Sequence, residues 1–241
     1  MKETKLVEGY VIHLSQYKEN DLIVTFLTRE GLISFRARGA KKITSKNASC
    51  LLLLSYSSCF LESFNDSWTL KEGKCLQAPS YRDDLKLMSS LSFIAEISSK
   101  LVMEDIAQEA YLWLEEAMES IKKGFSPLTS ALLLFARYIE LEGYGLDVDE
   151  CVYCRKKVGI IGVDFEEGGF VCENEDPLAM KKMNARYLSI YRYIFRCKVS
   201  DFTRVAFLDQ ECLEIIEDLA EYISHNLGIA FKTLKTLSAC Y

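Results

Sequence analysis

Residues 21–38, DLIVTFLTREGLISFRAR, decide the fold of the N-terminal part of this 241-residue chain. Residues 21–28 and 31–38 are rich in β-branched and aromatic side chains, and the short glycine-containing segment between them, Arg29-Glu30-Gly31, is typical of a hairpin connection. In the second strand apolar and polar residues alternate, so that Phe35 faces one side while Arg36 and Arg38 face the other. The pattern predicts a hairpin with an apolar inner face and a cationic outer face.

Three further strand-like segments flank this hairpin. Residues 7–14 precede it, and residues 49–64 and 67–76 follow it, with Asn65-Asp66 as the turn between the last two. Five short strands at this spacing favour a small closed barrel, because closure leaves no exposed sheet edge. We expect an OB-fold, with an SH3-like barrel as the second choice.

The hydrophobic period changes from two to helical near Ala78-Pro79-Ser80. Residues 107–121 carry apolar side chains at helical spacing, and Ser126-Pro127 is a typical start for a helix that runs to about residue 142. Asp209 is a candidate cap for a last long helix. The sequence therefore predicts an α+β protein, with an OB-fold barrel domain at residues 1–78 and an α-helical domain at residues 79–241.

Charge is divided unevenly along the chain. The formal net charge is −6, but residues 1–80 hold 11 Lys and Arg against 8 Asp and Glu, whereas residues 81–241 hold 18 against 27. Between residues 29 and 46, six cations face a single acid, Glu30. A local positive field of this kind attracts an anion even when the whole protein is acidic. The candidate phosphate-binding residues are Arg29, Arg36, Arg38, Lys41, Lys42 and Lys46.

The loop after the hairpin, residues 39–46, is polar and cationic, and its lysines can follow a phosphate backbone without a fixed geometry. Candidate platforms for stacking on unpaired bases are Tyr10, Tyr17, Phe26, Phe35 and Trp68. The competing interpretation is that the charges are solvated surface and that the aromatic side chains belong to the core.

Three of the nine cysteines form a group with metal-ligand spacing. Cys151 and Cys154 make a CxxC pair, and Cys172 begins a second pair in which Glu175 stands where the fourth cysteine would be, with Asp176 beside it. A carboxylate can ligate zinc, so Cys151, Cys154, Cys172 and Glu175 are a candidate site for one structural zinc. The alternative is a metal-free hairpin.

Membrane and enzyme functions find little support in the sequence. No apolar run approaches the ~20 residues of a membrane span, and no export signal is recognisable, so we expect a cytoplasmic protein.

Phosphate-loop, nucleophile-elbow and dinucleotide motifs are absent, and neither His13 nor His225 has metal or triad spacing around it. We expect a non-enzymatic DNA binder. The alternatives are a helical adaptor whose barrel binds protein, and a magnesium-dependent nuclease that uses acidic pairs such as Glu115-Glu116.

Several short segments recur along the chain in the order and spacing of one protein family. They are GYVI at 9–12, YKENDLIV at 17–24, TREGLI at 28–33, RGAKK at 38–42, EGYGL at 142–146, CVYC at 151–154 and GGFVC at 168–172. In these segments, most specifically within residues 1–46, the chain resembles the RecO recombination and repair family.

The resemblance implies an N-terminal OB-fold and a helical domain with an embedded, here incomplete, zinc-ribbon-like insert at about residues 148–178. It also implies a recombination mediator that binds and anneals single strands, binds double-stranded DNA, and helps to load recombinase onto single strands coated by the single-strand-binding protein. RecR and the single-strand-binding protein are the implied protein partners.

Overall fold

The computed structural model describes residues 3–42, 44–64, 67–79, 84–175 and 177–241. The chain forms two compact units, Met1–Glu115 and Glu116–Tyr241. The predicted turn at Asn65-Asp66, Ser80 of the predicted domain boundary, Ile43 of the cationic loop and Asp176 lie outside the described residues. The boundary between residues 78 and 79 therefore stays a prediction.

Five strands form a closed barrel in the first unit. They are β1 (Thr4–Tyr17), β2 (Asp21–Thr28), β3 (Gly31–Ala37), β4 (Tyr56–Phe64) and β5 (Ser67–Gln77). Their order around the barrel is β1-β2-β3-β5-β4; neighbours are antiparallel except β3 and β5, which pair in parallel. This is the five-stranded architecture of an OB-fold, so the first choice from sequence is confirmed.

Alternation within the strands builds the barrel core. Phe35 of β3 lies opposite Val24 of β2, and both are buried, as is Phe26, whose ring meets that of Phe35 edge-on with centroids 5.0 Å apart. On β3 the alternating residues Ser34 and Arg36 are exposed and partly exposed, respectively. The hairpin that the sequence predicted thus has its apolar face in the core and its arginine face outside.

The fourth strand begins later than the sequence predicted. Instead of extending from residue 49, β4 starts at Tyr56, and Ala48–Leu51 form a short 3-10 helix. The reason is that Cys50 and Leu51 are adjacent and both enter the barrel core, whereas a strand would point neighbouring side chains to opposite faces. The apolar run before β4 therefore contributes to the barrel core as a turn.

Two helices complete the first unit. α1 (Leu85–Leu101) is capped by Asp84, whose Oδ1 accepts a hydrogen bond from the Leu87 N–H at 3.0 Å. This helix contacts β1. α2 (Ala107–Lys122) begins in this unit and coincides with the predicted amphipathic helix.

The second unit is mainly helical. It contains α3 (Pro127–Leu141), α4 (Ala185–Ile194), α5 (Asp209–Leu227) and α6 (Leu234–Cys240). Ser126 caps α3 as predicted, with its Oγ accepting the Thr129 N–H at 3.2 Å. Asp209 is the first residue of α5 and not its cap; the cap is Leu208, whose N–H donates to the Glu211 carboxylate at 3.1 Å.

A small three-stranded sheet interrupts the helices of this unit. β6 (Ile160–Asp164) lies between β7 (Gly169–Cys172) and β8 (Met180–Lys182), and both pairings are antiparallel. Gly169 allows close approach of this sheet to the preceding segment, because a Cβ at this position would lie 2.6 Å from the Asp147 carbonyl oxygen. Within the ranges described, no helix is long and apolar enough to span a membrane.

Candidate nucleic-acid interface and metal centre

Asp21 organises one end of the barrel. Its carboxylate Oδ2 accepts a hydrogen bond from the Arg36 Nε at 2.9 Å, and its Oδ1 accepts one from the Gly39 N–H at 2.8 Å. The Lys41 N–H donates to the Asn20 carbonyl at 3.1 Å. These contacts join the β1–β2 turn, the outer face of β3 and the start of the cationic loop. We call this region, residues 16–21, 36, 38–42 and 44–46, the cationic rim.

The rim keeps Asp21 ionised. The hydrogen bond from the Gly39 N–H, followed by that from the Arg36 guanidinium, lowers the pKa of the Asp21 carboxyl below its ordinary value. Gly39 makes this contact with φ at +62°, a conformation that glycine adopts without strain. The hydrogen bond from the Gly39 N–H to the ionised Asp21 carboxylate therefore fixes the direction in which the loop between β3 and β4 leaves the barrel.

A tyrosine lies in the middle of the rim. Tyr17 ends β1, is 41% exposed, and has the Arg36 guanidinium carbon 4.9 Å and the Lys18 Nζ 5.6 Å from its ring centroid. The preceding residue of β1, Gln16, accepts a hydrogen bond from the Lys41 Nζ at its Oε1, at 3.2 Å. The rim thus combines an exposed aromatic ring with two cations, Arg36 and Lys18, close to that ring.

The six predicted phosphate-binding residues differ in what surrounds them. Arg38, Lys42 and Lys46 are exposed, and their side chains have no partner among the described residues. Within the described part of the chain, the Lys41 side chain contacts the neutral amide of Gln16, and Arg36 is paired with Asp21. Arg36 contacts Asp21 directly, and Arg38, Lys41, Lys42 and Lys46 belong to the loop that begins at the Asp21–Gly39 contact.

Arg29 belongs to a different cluster. Its Nη2 lies 2.9 Å from the Glu115 Oε1, and its guanidinium carbon is 5.6 Å from the centroid of Tyr111. The Tyr111 hydroxyl donates to the same Glu115 oxygen at 2.8 Å. Arg29 therefore joins the β2–β3 turn to α2 within the first unit, and the carboxylate of Glu115 is already engaged.

Most of the candidate stacking residues are unavailable to a ligand. Tyr10, Phe26 and Phe35 are at most 4% exposed, because they pack inside the unit, and Trp68 is half-buried against the barrel core. Only Tyr17 of that set is exposed. The sequence reasoning missed Lys18, Gln16 and Asp21; the signal for them was the polar turn that directly precedes β2.

Three sulfur atoms converge in the insert of the second unit. The Sγ atoms of Cys151, Cys154 and Cys172 lie within 4.8 Å of one another, and those of Cys154 and Cys172 are 3.4 Å apart. Tetrahedral zinc about 2.3 Å from each sulfur would place the sulfurs about 3.8 Å apart, so the group fits this metal. Glu175 is not in the group, although its N–H donates to the Cys172 carbonyl at 3.1 Å; its role as fourth ligand stays a prediction.

The backbone around the cysteines favours a thiolate at one of them. Burial opposes ionisation of Cys151, but N–H groups of Cys154, Cys172 and Tyr153 point at its sulfur and lower its pKa to about 7. At Cys154 the Lys156 N–H favours the thiolate, but burial and the neighbouring thiols outweigh it and raise the pKa to about 11. Ionisation of one thiol thus opposes ionisation of its neighbour. A bound metal cation would remove this opposition, because it stabilises every thiolate that contacts it.

Comparison with known proteins places the chain in a family. The model for "Recombination protein O N terminal" matches residues 1–79, and that for "Recombination protein O C terminal" matches residues 82–235. Proteins named DNA repair protein RecO are similar over almost their full length. The protein of Bacillus cytotoxicus is 28% identical, and the match covers 96% of this chain and 95% of the relative. The protein of Bacillus pumilus is 27% identical, with 96% of this chain and 92% of the relative covered. The protein of Bacillus subtilis is 26% identical, with 95% of this chain and 92% of the relative covered. Since the two models together match nearly the whole chain, it belongs to the RecO family of DNA repair proteins.

Proposed function

We propose that this protein is a non-enzymatic recombination mediator that binds DNA through the cationic rim. In this role it binds and anneals single strands in the cytoplasm and helps to load recombinase onto strands coated by the single-strand-binding protein. The observation that carries the proposal is the position of four exposed cations, Arg38, Lys41, Lys42 and Lys46, on one loop beside Arg36.

The free donors of the rim suit phosphate. Lysines on a loop supply point charges that can follow a flexible strand, whereas Arg36 is held in place. Asp21 engages the Nε and Nη2 of Arg36, which leaves the Nη1 donors for a phosphate oxygen. Contacts of this kind position a strand without reading its bases, as a mediator that acts on any sequence requires.

Salt dependence tests the proposal. Five phosphate contacts on a single strand give a slope of roughly −3.5 for log K against log salt, at about −0.7 per contact. Lys41→Ala/Lys42→Ala should reduce the slope to roughly −2.1 and weaken binding roughly 25-fold at 0.1 M salt. Fluorescence anisotropy with labelled oligonucleotides at several salt concentrations measures both.

Lys122→Ala/Lys123→Ala is the matched control. Lys122 is the last residue of α2 and Lys123 follows it, and Lys122 pairs with Glu119 at 3.1 Å in the acidic part of the chain, so the slope should not change. Unchanged affinity and slope in the Lys41/Lys42 variant would mean that the rim is only solvated surface and would contradict the proposal.

Protein partners are assigned to the other part of the chain. We propose that RecR and the single-strand-binding protein contact the acidic helical region, since residues 81–241 hold 18 cations against 27 acids and repel DNA. The Lys41→Ala/Lys42→Ala protein should then still co-elute with both partners in gel filtration. Loss of a partner together with DNA would favour the adaptor alternative, in which the barrel binds protein.

Nuclease activity is the remaining alternative. Glu115, one member of the acidic pair considered for magnesium, already accepts hydrogen bonds from Arg29 and Tyr111. Labelled strands incubated with the protein and Mg²⁺ should remain intact. Cleavage that depends on Mg²⁺ and co-purifies with the protein would contradict the non-enzymatic role.

A further inference from the structure

We propose that Tyr17 stacks on an unpaired base and thereby makes the cationic rim selective for single-stranded nucleic acid. This inference rests on the proposed function and adds to it a contact with the base itself. Phosphate contacts alone do not distinguish a single strand from a duplex by chemistry, because both present the same anionic backbone.

The position of Tyr17 suits a stacking role. It is the last residue of β1, lies opposite Asp21 in the β1–β2 register, and is 41% exposed. It is not a member of the apolar cluster that fills the barrel. In OB-folds the β1–β2 loop and the face of strands 2 and 3 form the usual ligand surface, and Tyr17 and Arg36 lie where these two regions meet.

The cations beside the ring would hold the flanking phosphates. The Arg36 guanidinium carbon is 4.9 Å and the Lys18 Nζ is 5.6 Å from the ring centroid. A base on the exposed part of the ring therefore has cations near its own backbone. Single-strand-binding sites commonly combine an aromatic platform with a cationic groove in this way.

Double-stranded DNA can stack a base on Tyr17 only at a cost in free energy. Its bases are already stacked on each other, so a base must leave the helix before its face is available to Tyr17. The ring should then strengthen binding of single strands and contribute little to binding of double strands.

Phe60 provides a control for the exposure of an aromatic ring. It is also 41% exposed, but it lies on β4 opposite Leu6 of β1 and Glu72 of β5, with no cation among these cross-strand partners. An aromatic side chain that is merely exposed on the barrel should behave as Phe60 does.

The experiment compares two strands that differ only in their bases. Full-length wild-type protein, Tyr17→Leu, Tyr17→Phe and Phe60→Leu are titrated with oligo(dT) and with an abasic oligonucleotide of equal length, at several salt concentrations. Wild type, Tyr17→Phe and Phe60→Leu should prefer oligo(dT), and Tyr17→Leu should reduce this preference about 5- to 150-fold, the range for one base on one aromatic ring. The salt slope should be the same for all four proteins.

Two results would overturn the inference. In the first, Tyr17→Leu binds oligo(dT) as tightly as wild type. In the second, it loses affinity equally for both strands or changes the salt slope, which would mean that Tyr17 acts only by holding Arg36. Either result leaves the proposed function intact if Lys41→Ala/Lys42→Ala still lowers the slope, whereas wild-type protein that binds neither strand would overturn both.

Discussion

The cationic rim and the cysteine group each gather chemically similar side chains, but different forces hold them. At the rim, contacts between side chains on separate elements fix Arg36, and the remaining cations extend from a loop into solvent. In the insert, backbone turns aim three sulfurs at one point, and Cys151 and Cys172 are buried. The rim is open and adjustable, whereas the cysteine group is closed and preorganised.

The difference predicts how each region responds to substitution. A flexible cationic surface loses affinity in small, similar steps, because each phosphate contact contributes alone. A preorganised ligand group fails as a unit, because removal of one thiolate leaves too few ligands for a tetrahedral structural site. Substitutions in the cysteine group should therefore have larger effects on metal binding than single substitutions at the rim have on DNA binding.

Cys151→Ser should abolish metal binding. Protein purified without chelator is expected to carry about one zinc per chain, and the variant close to none, because a serine hydroxyl is a poor zinc ligand beside two thiolates. Elemental analysis measures the content, with Cys197→Ser, outside the group, as the control. Wild-type protein that is folded and free of zinc would contradict the metal hypothesis and leave a metal-free hairpin.

Glu175→Cys should tighten the site. A fourth thiolate completes a CxxC pair with Cys172 and provides the soft donor set that zinc favours, so we expect an affinity at least about tenfold higher. Competition with a chromophoric chelator measures this. Equal affinity in wild type and variant would show that position 175 does not reach the metal.

Arg38→Ala and Arg29→Ala should separate a free cation from a paired one. Arg38 is exposed with no partner in the described part of the chain, so its loss should lower the salt slope by about 0.7 and weaken single-strand binding roughly fivefold at 0.1 M salt. Arg29 is held by Glu115 and Tyr111, so its loss should leave the slope unchanged and slightly lower the melting temperature. Equal slope changes in the two variants would mean that Arg29 binds phosphate despite its contacts with Glu115 and Tyr111.

Local patterns predicted much of the barrel. The strand at residues 21–28 has the predicted bounds, and Phe35 and Arg36 face opposite sides as the alternation indicated. The strand predicted from residue 49 was wrong at its start, because an apolar run without alternation does not distinguish a strand from a buried turn. Helices α1, α4 and α6 and strand β8 were not individually predicted; α4, α6 and β8 are short, with ten, seven and three residues, whereas α1 has 17.

The sequence by itself determined the alternating faces of the β2–β3 hairpin, the concentration of cations after it and the approach of Cys151 to Cys154, because each depends on residues a few positions apart. Only the tertiary structure decided which cations are free. Arg29 and Arg38 look alike in the sequence, but Glu115 reaches Arg29 across 86 positions, whereas Arg38 has no partner within the described ranges. Cys172 likewise joins the group from 18 positions beyond Cys154, while Glu175 does not. Contacts at such distances depend on how strands and helices pack, which no local period encodes.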